Sequence, residues 1–237
     1  MNVSNERLIV TIDGPSGSGK STVAADLARR FDLPCLNSGA IYRAVTLAIM
    51  NAGVQFDDRG RVIETVSAMR FEARGRDDQT RFYLDGEDVT ARIKDPDVTA
   101  EVYRVANDSE YRKLLITLQR DAVGERGIVA EGRDMGTVIF PEARIKVFLD
   151  APLEIRARRQ HQELLNRGVG SVYEELLEKS RQRDLHDTGR DTAPLRAASD
   201  AFVIARGDLT VDAVVERLAS RVREVLMPPE SERETIA

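Results

Sequence analysis

Residues 8–22 read LIVTIDGPSGSGKST. The first five, Leu8 to Ile12, are a short apolar run of the kind that forms a buried strand. Gly14–Ser21 then fits the spacing G-x-x-x-x-G-K-S, and Lys20 to Arg30 carries helical periodicity. Strand, glycine-rich turn and helix, in that order, is the context in which this spacing cradles phosphate. Glycines let the backbone curl around an anion with its N–H groups inward. The following helix aims the positive end of its dipole at the same point. The loop Gly14, Pro15, Ser16, Gly17, Ser18, Gly19, Lys20, Ser21 and Thr22 is therefore read as a nucleoside triphosphate site. Lys20 supplies a full positive charge for the β- and γ-phosphates, and the Ser21 hydroxyl suits Mg2+, a hard cation that prefers oxygen.

Outward from this loop, apolar runs alternate with helical patterns. Pro34 to Leu36 reads as a second strand, and Tyr42 to Ala52 and Asp58 to Met69 as helices. Further helices are expected at Pro96 to Ala106, Ser109 to Val123, Pro152 to Asn166 and Ser171 to Leu185. GIVA (127–130), IKVFL (145–149) and AFVI (201–204) read as strands, and valines and leucines from Val211 to Val225 recur at helical spacing. Five such strands between helices predict a doubly wound, P-loop α/β fold: a five-stranded parallel sheet with helices on both faces. Between Arg70 and Val89 the period changes to two, around the turns GRDDQ and DGED. That alternation predicts a small inserted antiparallel β subdomain, with a third strand starting at Val89. The expected organisation is one domain: core about 7–58, 107–155 and 191–227, insert about 59–106, helical lid about 156–190, and a frayed polar tail 228–237.

Composition narrows the function classes. The 237 residues carry 35 basic and 40 acidic side chains, net −5, so no chain-wide basic field invites nucleic acid. No apolar run is long enough to span a membrane. Cys35 is the single cysteine, which fits a reducing compartment. A cytoplasmic protein is expected, and a monomer, since no exposed apolar stripe can be identified in the sequence.

Three further clusters need an explanation. Ser38, Tyr42 and Arg43 lie one βα unit after the phosphate loop, and open parallel sheets bind ligands beyond the carboxyl ends of their strands. An arginine near a helix start opposes the dipole, and an anion would offset that; a solvated Arg43 with a core Tyr42 is the alternative. Glu131, Gly132, Arg133 and Asp134 follow GIVA, where Arg133 can clamp a phosphate and Asp134 can accept hydrogen bonds from a ligand's amino or hydroxyl groups; a surface ion pair is the alternative. Arg183, Asp187 and Arg190 recur at spacings of four and three between the fourth and fifth strands, with Gly189 expected to end the helix before Arg190. A solvated charged face is the alternative there. Arginine outnumbers lysine in these segments, as planar phosphate recognition favours. The only histidines, His161 and His186, are expected on the surface.

IDGPSGSGKST, LNSGAIYR, GRDMGTVIFPEA, FLDAPLEIRARR and RDLHDTGRDTAPL, taken together and in order, resemble bacterial cytidylate kinases from about Ile9 to Leu226. The resemblance implies transfer of the γ-phosphoryl group of ATP to CMP or dCMP, with Mg2+. It implies that Ser38, Tyr42 and Arg43 line the acceptor site, Arg43 on the phosphate. Arg112 would lie near the cytosine, Asp134 at the base, and Arg133 on the phosphate. Arg183 and Asp187 would approach the ribose, and Arg190 a phosphate. Lys20, Arg133, Arg183 and Arg190 are the residues expected to carry catalysis.

Four positions depart from the family's pattern. Asn37 stands for the usual aspartate before Ser38-Gly39, Glu131 for the aspartate of DGRD, Tyr103 for a base-reading serine in a loose alignment, and His186 for a lid arginine. A P-loop kinase for another small acceptor and a nucleotide-binding regulator are the competing readings. The hairpin insert and GRDMGTV speak against the first, and the lack of N-K-x-D weakens a GTPase form of the second.

Overall fold

The structure, a computed structural model, describes residues 7–74, 80–121, 123, 126–166 and 168–226. Contacts divide the chain into two compact units, Met1–Cys35 with Gly124–Ala237, and Leu36–Val123.

The larger unit is built on β1 (Leu8–Asp13), which leads through the glycine loop into α1 (Lys20–Arg30). Later strands are β6 (Gly127–Gly132), β7 (Ile145–Asp150) and β8 (Phe202–Ala205), and β2 (Cys35–Asn37) completes the sheet in the order β2-β6-β1-β7-β8. β1 pairs in parallel with β6, Leu8 opposite Gly127 and Asp13 opposite Gly132, and with β7, Val10 opposite Ile145. The five-stranded parallel sheet with helices on both faces is as the alternation predicted. α1 and α8 (Val211–Leu226) pack on each other, and Val23, Leu27, Val214, Leu218 and Val222 meet Val10, Ile12, Val129 and Val147 in one buried cluster. α6 (Leu153–Asn166) and α7 (Tyr173–Gly189) pack as a pair. α7 runs four residues beyond the expected Leu185, to Gly189, with Arg190 at its cap.

The smaller unit holds α2 (Ser38–Asn51), α3 (Arg59–Ala68), α4 (Pro96–Asn107) and α5 (Ser109–Asp121). Its antiparallel sheet is β3 (Phe71–Arg74), β4 (Arg81–Leu84) and β5 (Glu87–Asp88). Phe71 stacks on Phe82, ring centroids 5.9 Å apart, and both lie against the Ala44, Leu47, Leu84, Ile93 and Val98 cluster. The third strand comes just before Val89 rather than from it. Val89 is buried in that cluster, and its N–H donates to Phe82 O as the chain turns away.

α2 begins at Ser38, four residues before the expected Tyr42. Asn37 is the reason: its Oδ1 accepts from Ala40 N at 2.8 Å, an N-cap in what reads as a plain Asn-Ser-Gly turn. Arg43 consequently stands in the second turn, where the dipole argument for an anion loses most of its force. The GRDDQ turn and the tail from Pro228 lie outside the described residues.

Candidate active site

Strand ends of the larger unit assemble the site, because β1 and β6 are neighbours and both release loops at the same edge. Gly14 has φ +148°, and a Cβ there would stand 2.1 Å from Leu149 O, so only glycine lets the loop lie on the end of β7. Lys20 is 5% exposed, and its Nζ donates to Pro15 O at 2.8 Å. Burial, with the charges of Arg133 and Arg183, pushes its ammonium down to about 7, against the opposing pull of Glu131 and Asp13. An anion in the loop favours the charged form. Ser21 Oγ donates to Glu131 Oε1 at 2.8 Å. The hydroxyl proton is thereby committed to a buried carboxylate, and the oxygen lone pairs stay available.

The arginines expected to act on phosphate in this unit are gathered around one carboxylate. Arg133 Nε donates to Asp187 Oδ2 at 2.8 Å, with side-chain exposures of only 18% and 12%. Burial pushes the Asp187 carboxyl up, but Arg133, Arg183 and Arg190 together outweigh it and hold the group below the usual carboxylate range. Arg183 Nη1 reaches Ser16 Oγ of the phosphate loop at 3.3 Å, and Arg190 Nε donates to Ala193 O at 2.7 Å. Asp134 is buried, and its carbonyl accepts from Val138 and Ile139 N–H in the wide turn Met135–Ile139.

In the smaller unit, Ser38 (4% exposed) opens α2, and Arg43 Nη1 donates back to Gly39 O at 3.1 Å. Tyr42 and Arg112 come together: the guanidinium lies 5.7 Å from the Tyr42 ring centroid, and its Nη1 donates to Ala106 O at 3.2 Å. Both side chains are buried. Tyr103, by contrast, is half exposed, beside Arg104.

Several contributors were given no site role from the sequence. Asp13, the last residue of β1, accepts from Met135 N and Gly136 N, both at 2.8 Å, and so ties the phosphate loop to the turn after Asp134. Arg156 Nη1 donates to Ser16 O at 3.0 Å while both its Nη groups grip Asp184 of α7. Arg206 Nη1 donates to Ser18 O at 2.9 Å. Each follows or ends a strand, or opens the helix after one, and that placement was the available signal. Of the histidines, His186 is exposed as expected. His161 is not fully so: it is half-buried, against Ser171 Oγ at 2.8 Å and the edge of Tyr173. Among the described residues no three His, Cys, Asp or Glu side chains form a metal-binding group, and no helix is long and apolar enough to cross a membrane.

A family model described as cytidylate kinase matches residues 10–224. The cytidylate kinase of Caldanaerobacter subterraneus subsp. tengcongensis is 40% identical over 215 residues, 91% of this chain and 94% of the relative. That of Mycobacterium avium is 41% identical over 218 residues, 92% and 96% of the two chains. A solved structure of an uncharacterized protein from Eubacterium ventriosum covers 92% of this chain and 99% of its own with a TM-score of 0.52 at 13% identity, a likeness of fold alone. The phosphate loop, the GRDMGTV segment and the match over nearly the whole length agree: this chain belongs to the cytidylate kinase family.

Proposed function

We propose that this enzyme transfers the γ-phosphoryl group of ATP to CMP or dCMP, giving ADP and CDP or dCDP, as a step of pyrimidine nucleotide metabolism in the cytoplasm. One observation carries the chemistry: Arg183 reaches Ser16 of the glycine loop, Arg133 and Arg183 act on Lys20, and both share the Asp187 carboxylate with Arg190, in a chain of this family. Phosphoryl transfer spreads charge over the equatorial oxygens, so it calls for positioning and positive charge rather than covalent participation. Lys20 and Gly14–Thr22 hold the donor phosphates. Arg133, Arg183 and Arg190 balance the charge of the group in transit. Ser38, Tyr42, Arg43 and Arg112 in the smaller unit, and Arg133, Asp134, Arg183, Asp187 and Arg190 in the larger, are the acceptor-binding residues. The acceptor phosphate has a second pKa of about 6 and is already anionic at neutral pH, so no strong general base is required.

Mg2+ fits the donor set. The cation takes one or two protein oxygens and keeps several waters and substrate phosphates. Ser21 Oγ, with its proton directed at Glu131, offers such an oxygen. When bound, the ion neutralises charge on the β- and γ-phosphate oxygens.

The test is ATP-dependent turnover of CMP, dCMP, UMP, AMP and GMP, with Lys20→Ala as control. Rapid ADP release with the cytidine nucleotides alone, abolished in the control, is the expected result. Equal turnover of all acceptors defeats the cytidylate assignment, and ADP release independent of any acceptor favours a regulator.

A further inference from the structure

The backbone of the phosphate loop is held by basic side chains, two of them from beyond the loop. Three of its carbonyl oxygens accept from basic side chains: Pro15 O from Lys20 Nζ of the loop itself at 2.8 Å, Ser16 O from Arg156 Nη1 at 3.0 Å, and Ser18 O from Arg206 Nη1 at 2.9 Å. A trans peptide points its C=O and the next N–H in opposite directions. Fixing the Ser18 oxygen on one side therefore fixes the Gly19 N–H on the other.

Arg206 is built for this task. It leaves the end of β8, its N–H donates to Asp150 O at 2.7 Å, and its carbonyl accepts from Leu209 N at 2.7 Å, so its backbone is tied to the strand ends. Its side chain makes two bonds, Nη1 to Ser18 O and Nε to Leu209 O at 3.3 Å. The residue is 8% exposed, and among the described residues no carboxylate forms an ion pair with it. Arg159 stands near enough to repel it, and donates its own Nη2 to Gly207 O at 2.6 Å. Gly19 has φ +93°, and a Cβ there would lie 1.6 Å from Arg206 Nη1, so guanidinium and loop are in direct contact. Burying an arginine without a counter-charge is costly. A bound polyphosphate would offset that cost.

We infer that Arg206 is a positioning residue for the phosphate donor: it pins the Ser18–Gly19 peptide with its N–H toward the phosphate site and adds an unneutralised positive charge behind it. It touches no reacting atom. The inference rests on the ATP reading above, and the two fail separately. If the native enzyme does not bind ADP, the functional reading fails. If it binds ADP and the variants bind it equally, only the role of Arg206 fails.

The experiment measures ADP and CMP affinity by calorimetry, KM for both substrates, and the melting temperature without nucleotide, for the native enzyme, Arg206→Met and Arg206→Lys. Arg206→Met is expected to weaken ADP binding and raise KM for ATP about tenfold to a hundredfold, as loss of a charged hydrogen bond does, with CMP affinity within about twofold. Arg206→Lys keeps the charge but cannot make both bonds with one planar group. It is expected to weaken ADP binding by a smaller factor, about threefold to tenfold, and remains informative if the methionine variant does not fold. ADP affinity within twofold of native in the lysine variant, or equal losses for ADP and CMP in either variant, would overturn the assignment. So would a drop in melting temperature with both affinities unchanged.

Discussion

Asp187 is the residue on which three arginines depend. Its carboxylate accepts from Arg133 Nε at 2.8 Å in a setting where little water screens the pair. Because Arg133, Arg183 and Arg190 hold its pKa below the usual range against burial, Asp187 stays ionised throughout the neutral region. Its contribution to stability is lost only as pH falls through that depressed value. Asp187→Asn keeps the shape and removes the charge. The arginines then repel one another without a central anion, and Arg133 loses its anchor. We expect kcat/KM for CMP to fall about tenfold to a hundredfold, in line with losing a charge-assisted bond, and ADP affinity to change by less than about threefold. Steady-state kinetics with CMP varied, beside calorimetry with ADP, check both halves. A parallel loss of both would show that Asp187 merely maintains the fold. The motif residues Lys20, Arg133 and Asp187 were legible beforehand because each belongs to a short local pattern. Asp13 and Arg206 were not: their partners, Met135, Gly136 and Ser18, lie more than 100 residues away along the chain. No local spacing encodes such a bond.

At the scale of elements, the legible parts were those with one dominant period. α1 starts and ends at Lys20 and Arg30 as the sequence predicts, because a glycine loop and a strong apolar stripe bound it. The start of α2 was displaced because Asn37 reads equally as a turn residue and as a cap, and only its bond to Ala40 N decides. Asn37→Ala should cost about 1 kcal/mol of stability and Asn37→Asp close to none, since aspartate caps equally well and favours the dipole; chemical denaturation measures both. The turn Met135–Ile139 had no signal at all, because Asp13 of β1 holds it in place. That clamp has a pH signature. Burial, joined by Asp134, raises the Asp13 carboxyl to about 6 against the two backbone N–H groups and Lys20, from an ordinary value of 3.8. The folded state thus holds this proton more tightly than the unfolded chain. Its stabilising effect is complete below about pH 4 and is lost as pH rises through 6. Asparagine does not titrate. The stability of the native protein relative to Asp13→Asn should therefore rise by about 1 kcal/mol from pH 7 to pH 5. Urea midpoints for the two proteins across that range measure it, and a flat difference would mean Asp13 does not titrate there.

For the whole molecule, the separation into two units, each with its own apolar cluster, governs how ligands report on the chain. A ligand stabilises what it binds by RT ln(1 + [L]/Kd), about 2.7 kcal/mol at a hundredfold excess over Kd. For a chain of this size that amounts to roughly 5–10 °C if unfolding is two-state. Two separately cored units need not unfold together, so the location of protection is more telling than a single melting temperature. The donor loop, Gly14–Thr22, lies in the larger unit, whereas the hairpin β3–β4 lies in the smaller. ADP alone should slow amide exchange in Gly14–Thr22 and leave Phe71–Arg74 and Arg81–Leu84 near their ligand-free rates. CMP alone should protect the start of α2, where Ser38, Tyr42 and Arg43 stand. Exchange followed by mass spectrometry separates these peptides readily. If ADP protected only the smaller unit, the phosphate loop would have been given to the wrong ligand. If CMP left 38–43 untouched while still being phosphorylated, the acceptor residues assigned to that unit would have to be replaced by others.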